Sequence, residues 1–111
     1  VGIIDIDSDA EGKSVCGIYN AKIGIALAMR FNKKQLPWLI NWQHWGRGEY
    51  VTGLEPSTHP LSGQAKAREE GTLLFIAPGK KMNYDLEIEV LFEEERINNF
   101  LNEFNTEKNI N

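Results

Sequence analysis

Glu55 ends an alternating segment and is locked in place by Pro56, in the run Gly48-Glu49-Tyr50-Val51-Thr52-Gly53-Leu54-Glu55-Pro56-Ser57-Thr58-His59-Pro60. Alternation puts Glu55 on one strand face with Val51 and Gly53. The missing side chain of Gly53 leaves space beside the carboxylate, enough for a sugar ring or a water. Pro56 and Pro60 stiffen the loop that follows, and Ser57, Thr58 and His59 supply donors and acceptors for hydrogen bonding and proton transfer. Arg68 is the downstream residue most able to make a forked contact with Glu55 or with ligand hydroxyls. Trp45, beside the Gly46-Arg47-Gly48 turn, offers an indole plane for stacking. Plainer roles stand beside these: a surface pair of Glu55 with Arg47 or Arg68, an ordinary loop histidine at 59, and core or rim packing for Trp38 and Trp42.

The elements that must position these groups are mostly β. Val15 to Tyr19 and Ile23 to Phe31 flank a hairpin-like connection, Asn20-Ala21-Lys22. In the second segment Ile23, Ile25, Leu27, Met29 and Phe31 share one face and are expected to fill a core, while Gly24, Ala26 and Ala28 allow close approach on the other. A helix over Ala21 to Arg30 is the rival reading, given its alanines. Pro37 opens the next strand, Trp38 to Trp45, with Trp38, Ile40, Trp42 and His44 on one face and Leu39, Asn41, Gln43 and Trp45 on the other. Tyr50 to Glu55 forms another strand. Leu61 to Glu70 reads as a helical turn or structured loop between Gly63 and Gly71. Thr72 to Ile76 reads as a short strand, Ala77-Pro78-Gly79-Lys80 as a turn, and Lys81 to Phe92 as a long strand with an acidic outer face at Asp85, Glu87 and Glu89. Carboxylates spaced by two on a strand lie about 7 Å apart, so that row does not close around one calcium ion. Glu94 to Glu107 is a helix with an apolar stripe of Ile97, Phe100, Leu101 and Phe104, to be packed on the sandwich or on a partner subunit. Acidic residues suit its start, Lys108 lies near its end, and Asn109-Ile110-Asn111 reads as a tail.

The 111 residues suffice for one domain with a modest core. With 12 basic and 16 acidic side chains the formal charge is -4, and no basic stripe invites nucleic acid. The single Cys16 excludes an internal disulfide and a cysteine zinc knot, which suits a reducing, cytoplasmic setting. No apolar run is long enough for a helical membrane span, and no secretory leader is visible. The chain opens on Val1-Gly2-Ile3-Ile4-Asp5-Ile6-Asp7, strand already under way, and so reads as a fragment of something longer.

Three pieces in order carry a family resemblance: Trp45 to Pro56, then Ala67-Arg68-Glu69-Glu70-Gly71-Thr72-Leu73, then Ile76-Ala77-Pro78-Gly79-Lys80-Lys81 before a Tyr84-bearing strand. Together they resemble the C-terminal part of galactose mutarotase-like proteins, in particular their uncharacterised, aldose 1-epimerase-related branch, over about residues 20–93. The resemblance implies an antiparallel β-sandwich, part of a supersandwich of which this chain is the last third, with the remainder of the same domain upstream. It implies Glu55 as the base that removes the anomeric hydroxyl proton. An upstream histidine would protonate the ring oxygen, so Trp45, His59 and Arg68 are substrate binders. Two positions depart from the pattern: His59-Pro60-Leu61 stands where the epimerases commonly carry a proline-aspartate pair, and Lys80 stands where a glutamate is usual.

The expected ligand is therefore a small-molecule sugar, with no cofactor and no metal, and with a homo-oligomer left open. A carbohydrate-binding module without turnover is the alternative, and a structural β-domain whose helix mediates assembly is a third.

Overall fold

The computed structural model describes residues 1–108, with side chains through residue 104; the Asn109-Ile110-Asn111 tail lies outside the described residues. Six strands and two helices follow in order: β1 (Gly2–Ile4), β2 (Lys13–Asn20), β3 (Ile25–Asn32), β4 (Trp38–Gly46), β5 (Glu49–Ser57), α1 (Gln64–Glu70), β6 (Leu86–Leu91) and α2 (Glu94–Lys108). They form two antiparallel three-stranded sheets, ordered β1-β4-β5 and β2-β3-β6. These are the elements of an all-β, antiparallel sandwich-like fold with a helix at its C-terminal end. The Ala21 to Arg30 helix does not form. No described helix is long and apolar enough to cross a membrane.

Two compact units divide the chain. The first comprises residues 1–14 and 31–86 and holds the β1-β4-β5 sheet. Leu39 and Ile40 are its buried strand residues, at 1% and 4% exposure. The β4 and β5 strands pair from Trp38↔Ser57 to Gly46↔Glu49, leaving Arg47 and Gly48 as a two-residue turn. Gly48 takes φ 75° there, a left-handed conformation that glycine adopts without a Cβ penalty. Helix α1 takes up residues 64–70 of the Leu61 to Glu70 segment read as a helical turn or structured loop. It ends at Gly71 in the left-handed region, where the N–H groups of Gly71 and Thr72 donate to the carbonyls of Arg68 and Ala67.

Downstream of α1 the structure departs from the expected strands. Residues 72–77 are irregular, not a strand, because their amides are satisfied elsewhere: Thr72 N–H by the helix end and Leu74 N–H by the His59 ring at 3.1 Å. The strand expected from Lys81 begins only at Leu86. Just before it, Asp85 donates its N–H to Gln35 Oε1 at 2.8 Å while Gln35 Nε2 donates to the Asp85 carboxylate at 2.8 Å. This two-way clasp holds the chain off the ladder.

The second unit comprises residues 15–30 and the chain from 87 onward. Its core is Ala26, Ala28, Leu91, Ile97 and Phe100, with Val15 and Leu101 packed against it. β3 is buried on both faces: Met29 and Phe31 of the large face are buried as expected, at 8% and 4%, and Ala26 and Ala28 of the small face are fully buried, whereas Ile25 at the start of the strand and Ile23 before it are 41% and 65% exposed. Small side chains are inside because the α2 stripe lies on them and Phe100 needs the depth. A Cβ on Gly17 would come within 2.6 Å of Phe100 Cζ. β6 is reversed: Leu91 is buried while Leu86, Ile88 and Val90 are at least half exposed. Its acidic face is held by cations, Arg30 meeting Glu87 at 3.5 Å, Glu89 at 3.2 Å and Glu103 at 3.0 Å, and Arg96 pairing with Glu89.

Candidate functional site

The hairpin register decides which side chains meet. Ile40 faces Glu55, Trp42 faces Gly53, His44 faces Val51 and Gly46 faces Glu49. Directly paired residues of an antiparallel ladder share a face. One face of the hairpin thus carries Trp42, His44, Glu49, Val51 and Glu55. The opposite face carries Asn41, Gln43, Trp45, Tyr50 and Thr52.

On the first face two polar side chains each bend over a glycine. Glu55 leans back along β5 so that its Oε1 lies 2.6 Å from where a Gly53 Cβ would be; the space left by Gly53 is taken by the carboxylate itself. His44 does the same over Gly46, its Nε2 2.8 Å from the corresponding position, and reaches Glu49 Oε2 at 3.5 Å. The Trp42 and His44 rings lie nearly parallel, 11° apart with centroids 6.2 Å apart. Trp42 is 39% exposed. Among the described residues no ion pair joins Glu55 to Arg47, Arg68 or any other cation. The Glu55 carboxylate is on an exposed residue, bent over Gly53, and Gly53 is paired across the ladder with the exposed Trp42.

The residues expected at the site are not all together. Trp45 is on the other hairpin face, 72% exposed, edge-on to Tyr50 at 5.8 Å and donating its indole N–H to Gln43 at 3.1 Å. His59 is half-buried in the loop after β5. Its Nδ1 lies 3.0 Å from Thr58 Oγ1, and its Nε2 accepts the Leu74 N–H. Because Nε2 is an acceptor, the proton of the neutral ring sits on Nδ1 and is donated to Thr58. His59 therefore ties two loops together with both nitrogens engaged. Arg68 lies in the last turn of α1, exposed, where its charge suits the helix C-terminus. The residues that sequence reading left out of the site are Trp42, His44 and Glu49. The length of the Arg47-Gly48 turn was the signal that could have found them, since a two-residue loop fixes which residues of β4 and β5 are opposite.

Elsewhere, a surface cleft of about 210 Å³ in the second unit is lined by Arg30, Glu89, Leu91, Arg96, Asn99, Phe100 and Glu103. Burial alone would lower the Arg30 pKa, but the hydrogen bond and charge of Glu103, with the charges of Glu89 and Glu87, hold it above its ordinary value. Its guanidinium is already matched by three carboxylates, so this cleft is an ion network that fastens α2 to the sheet. Among the described residues no three His, Cys, Asp or Glu side chains gather as a metal ion would need.

Residues 1–90 match the family described as Domain of unknown function (DUF4432). The chain belongs to the DUF4432 family. The matched span contains the whole β4–β5 hairpin and both its faces, and ends within β6, ahead of α2. No curated protein and no solved structure matches this DUF4432 chain.

Proposed function

We propose that this DUF4432 chain carries the sugar-binding face of an aldose 1-epimerase-like active site, with Glu55 as the general base. The observation that carries the reading is the unpaired Glu55 carboxylate, set over Gly53 directly across the ladder from the exposed indole of Trp42. Sugar hydroxyls are donors that a carboxylate accepts strongly. The apolar face of a pyranose suits an indole plane, and the carboxylate that fills the place of the absent Gly53 side chain lies on the same hairpin face to accept its hydroxyls.

In this role Glu55 takes the proton of the anomeric hydroxyl. The electron pair left on that oxygen forms the carbonyl as the bond from the anomeric carbon to the ring oxygen breaks, and an acid delivers a proton to the ring oxygen. Reclosure on the other face of the carbonyl gives the other anomer. In the epimerases that the sequence resembles, that acid is an upstream histidine; His59 does not suit the task, since both its nitrogens are engaged by Thr58 and Leu74. The mechanism asks for no metal and no cofactor. The ligand is a free small-molecule sugar, and the lone Cys16 suits a cytoplasmic setting.

The departures at His59-Pro60-Leu61 and Lys80 favour a second reading, in which the same face binds carbohydrate without turnover. Saturation-transfer NMR of anomer exchange over a panel of free sugars, comparing the full-length protein with Glu55→Gln, separates the two. The epimerase reading expects exchange reduced by about 10²- to 10⁴-fold on loss of the base. Sugar binding with no accelerated exchange supports the binding module, and neither binding nor exchange removes the sugar reading altogether.

A further inference from the structure

We propose that the site does not end at one sugar ring: it extends along the β4–β5 hairpin to a second subsite built from His44 and Glu49, and its ligand is an uncharged sugar of at least two rings. The inference rests on the reading of the Glu55 face as a sugar site and specifies what that site takes.

Length is the first argument. Glu55 is opposite Ile40, and His44 lies four residues further along β4, a distance of about 13 Å at the usual rise of a strand. That is longer than one pyranose ring, and the interval is not blank. Trp42 stands in the middle, and the His44 ring, stacked nearly parallel to it, carries aromatic surface on toward the turn. Opposite them lie only Gly53 and Val51, small side chains that leave the strip low.

The far end is built for hydroxyls. Gly46 gives the imidazole tip room, its Nε2 lying 2.8 Å from where a Gly46 Cβ would be. Glu49 approaches Nε2 at 3.5 Å, which favours the proton on that nitrogen and leaves Nδ1, without a partner among the described residues, as an acceptor for a sugar hydroxyl. The second Glu49 oxygen remains available as a further acceptor. Charge sets the class of ligand. Two carboxylates, Glu49 and Glu55, mark the ends of the strip, and the one Lys or Arg within residues 38–57 is Arg47 in the turn itself. Hydroxyl donors are favoured along such a strip, whereas a phosphate would meet like charge.

The test is ligand-observed NMR affinity of the full-length protein for matched probes: glucose against maltose, galactose against lactose, and glucose against glucose 6-phosphate. The same series is run on His44→Ala, His44→Gln and Glu49→Gln, each checked for folding by circular dichroism. At least one disaccharide should bind about tenfold more tightly than its monosaccharide, and glucose 6-phosphate more weakly than glucose. The disaccharide preference should fall toward parity in His44→Ala and Glu49→Gln and survive in part in His44→Gln, which keeps a hydrogen-bonding side chain. Equal affinity for one and two rings, a preference untouched by both substitutions, or tighter binding of the phosphate overturns the second subsite while leaving the Glu55 site standing. Failure of every probe to bind removes the sugar reading beneath it.

Discussion

Gly53→Ala should separate stability from activity, because the space that the new methyl enters is filled by the tip of a flexible side chain. Gly53 has no positive φ, so alanine fits its backbone, and replacing a strand glycine should add about 0.5–1 kcal/mol through lower unfolded-chain entropy and better strand propensity. The added Cβ would stand 2.6 Å from Glu55 Oε1, 3.3 Å from Cδ and 3.4 Å from Cγ. To reach ordinary contact the carboxylate must retreat by close to 1 Å, a displacement that in a positioned catalytic group costs about 10²-fold in rate. The expected result is thus a protein that resists urea slightly better and exchanges sugar anomers about a hundredfold more slowly. In a Glu55→Gln background the same alanine should have little further effect on rate, since both changes act on one group. Undiminished exchange in Gly53→Ala would show that the carboxylate does not work from its place over Gly53. A loss of stability would show that the space is not relieved by side-chain movement.

Three further outcomes follow from the same geometry. Trp42→Ala should weaken sugar binding by about tenfold, the order expected for loss of an aromatic contact, whereas Trp45→Ala, on the opposite hairpin face, should change it less than about twofold; titration of both variants with one sugar checks the assignment of faces. Gly17→Ala should destabilise by about 2–3 kcal/mol in urea titration, because its methyl would meet both Phe100 and the carbonyl oxygen of Leu27. Phe100→Ala should not rescue it, as the backbone clash remains. Burial holds the Cys16 thiol above its ordinary value of 9.0, so it should alkylate far more slowly in the folded protein than in urea. Since the folded pKa is the higher one, the folded state keeps its proton longer and stability should decline as pH rises past about 9 toward the folded value; a flat urea midpoint across that range would refute the assignment.

Glu55 and its glycine neighbour were legible in the sequence, whereas the rest of the candidate site was not. Alternation alone put Glu55 with Gly53, and that juxtaposition stands in the structure with the carboxylate over the glycine. Assigning partners across the hairpin needed the register, which a single strand's pattern does not contain. Trp45 was attractive for lying near the turn, yet the pairing Trp45↔Tyr50 puts it on the face away from Glu55. The His59 bond to Leu74 joins residues fifteen apart through an irregular loop, and no local pattern announces such a contact. It also removed a strand: a segment as apolar as residues 72–76 is read as β until its amides are found to be satisfied by a helix end and an imidazole.

The reversed face of β6 and the exposed start of β3 have a different cause. Large side chains were assigned to the core, but burial follows what lies on a face, not the size of what the face presents. Helix α2 brings its own bulk in Ile97 and Phe100, so the strands beneath it supply Gly17, Ala26 and Ala28. Those three small residues fall inside the DUF4432 match, while the helix that requires them lies beyond residue 90. The fit between them makes α2 part of the same folding unit as the second sheet. Arg30 and Arg96 reinforce it by holding acidic side chains on the helix-covered side of β6, where a pattern-based reading expects solvent. A helix stripped of its ion pairs would still have this platform to return to, whereas a single methyl on Gly17 would deny Phe100 its seat.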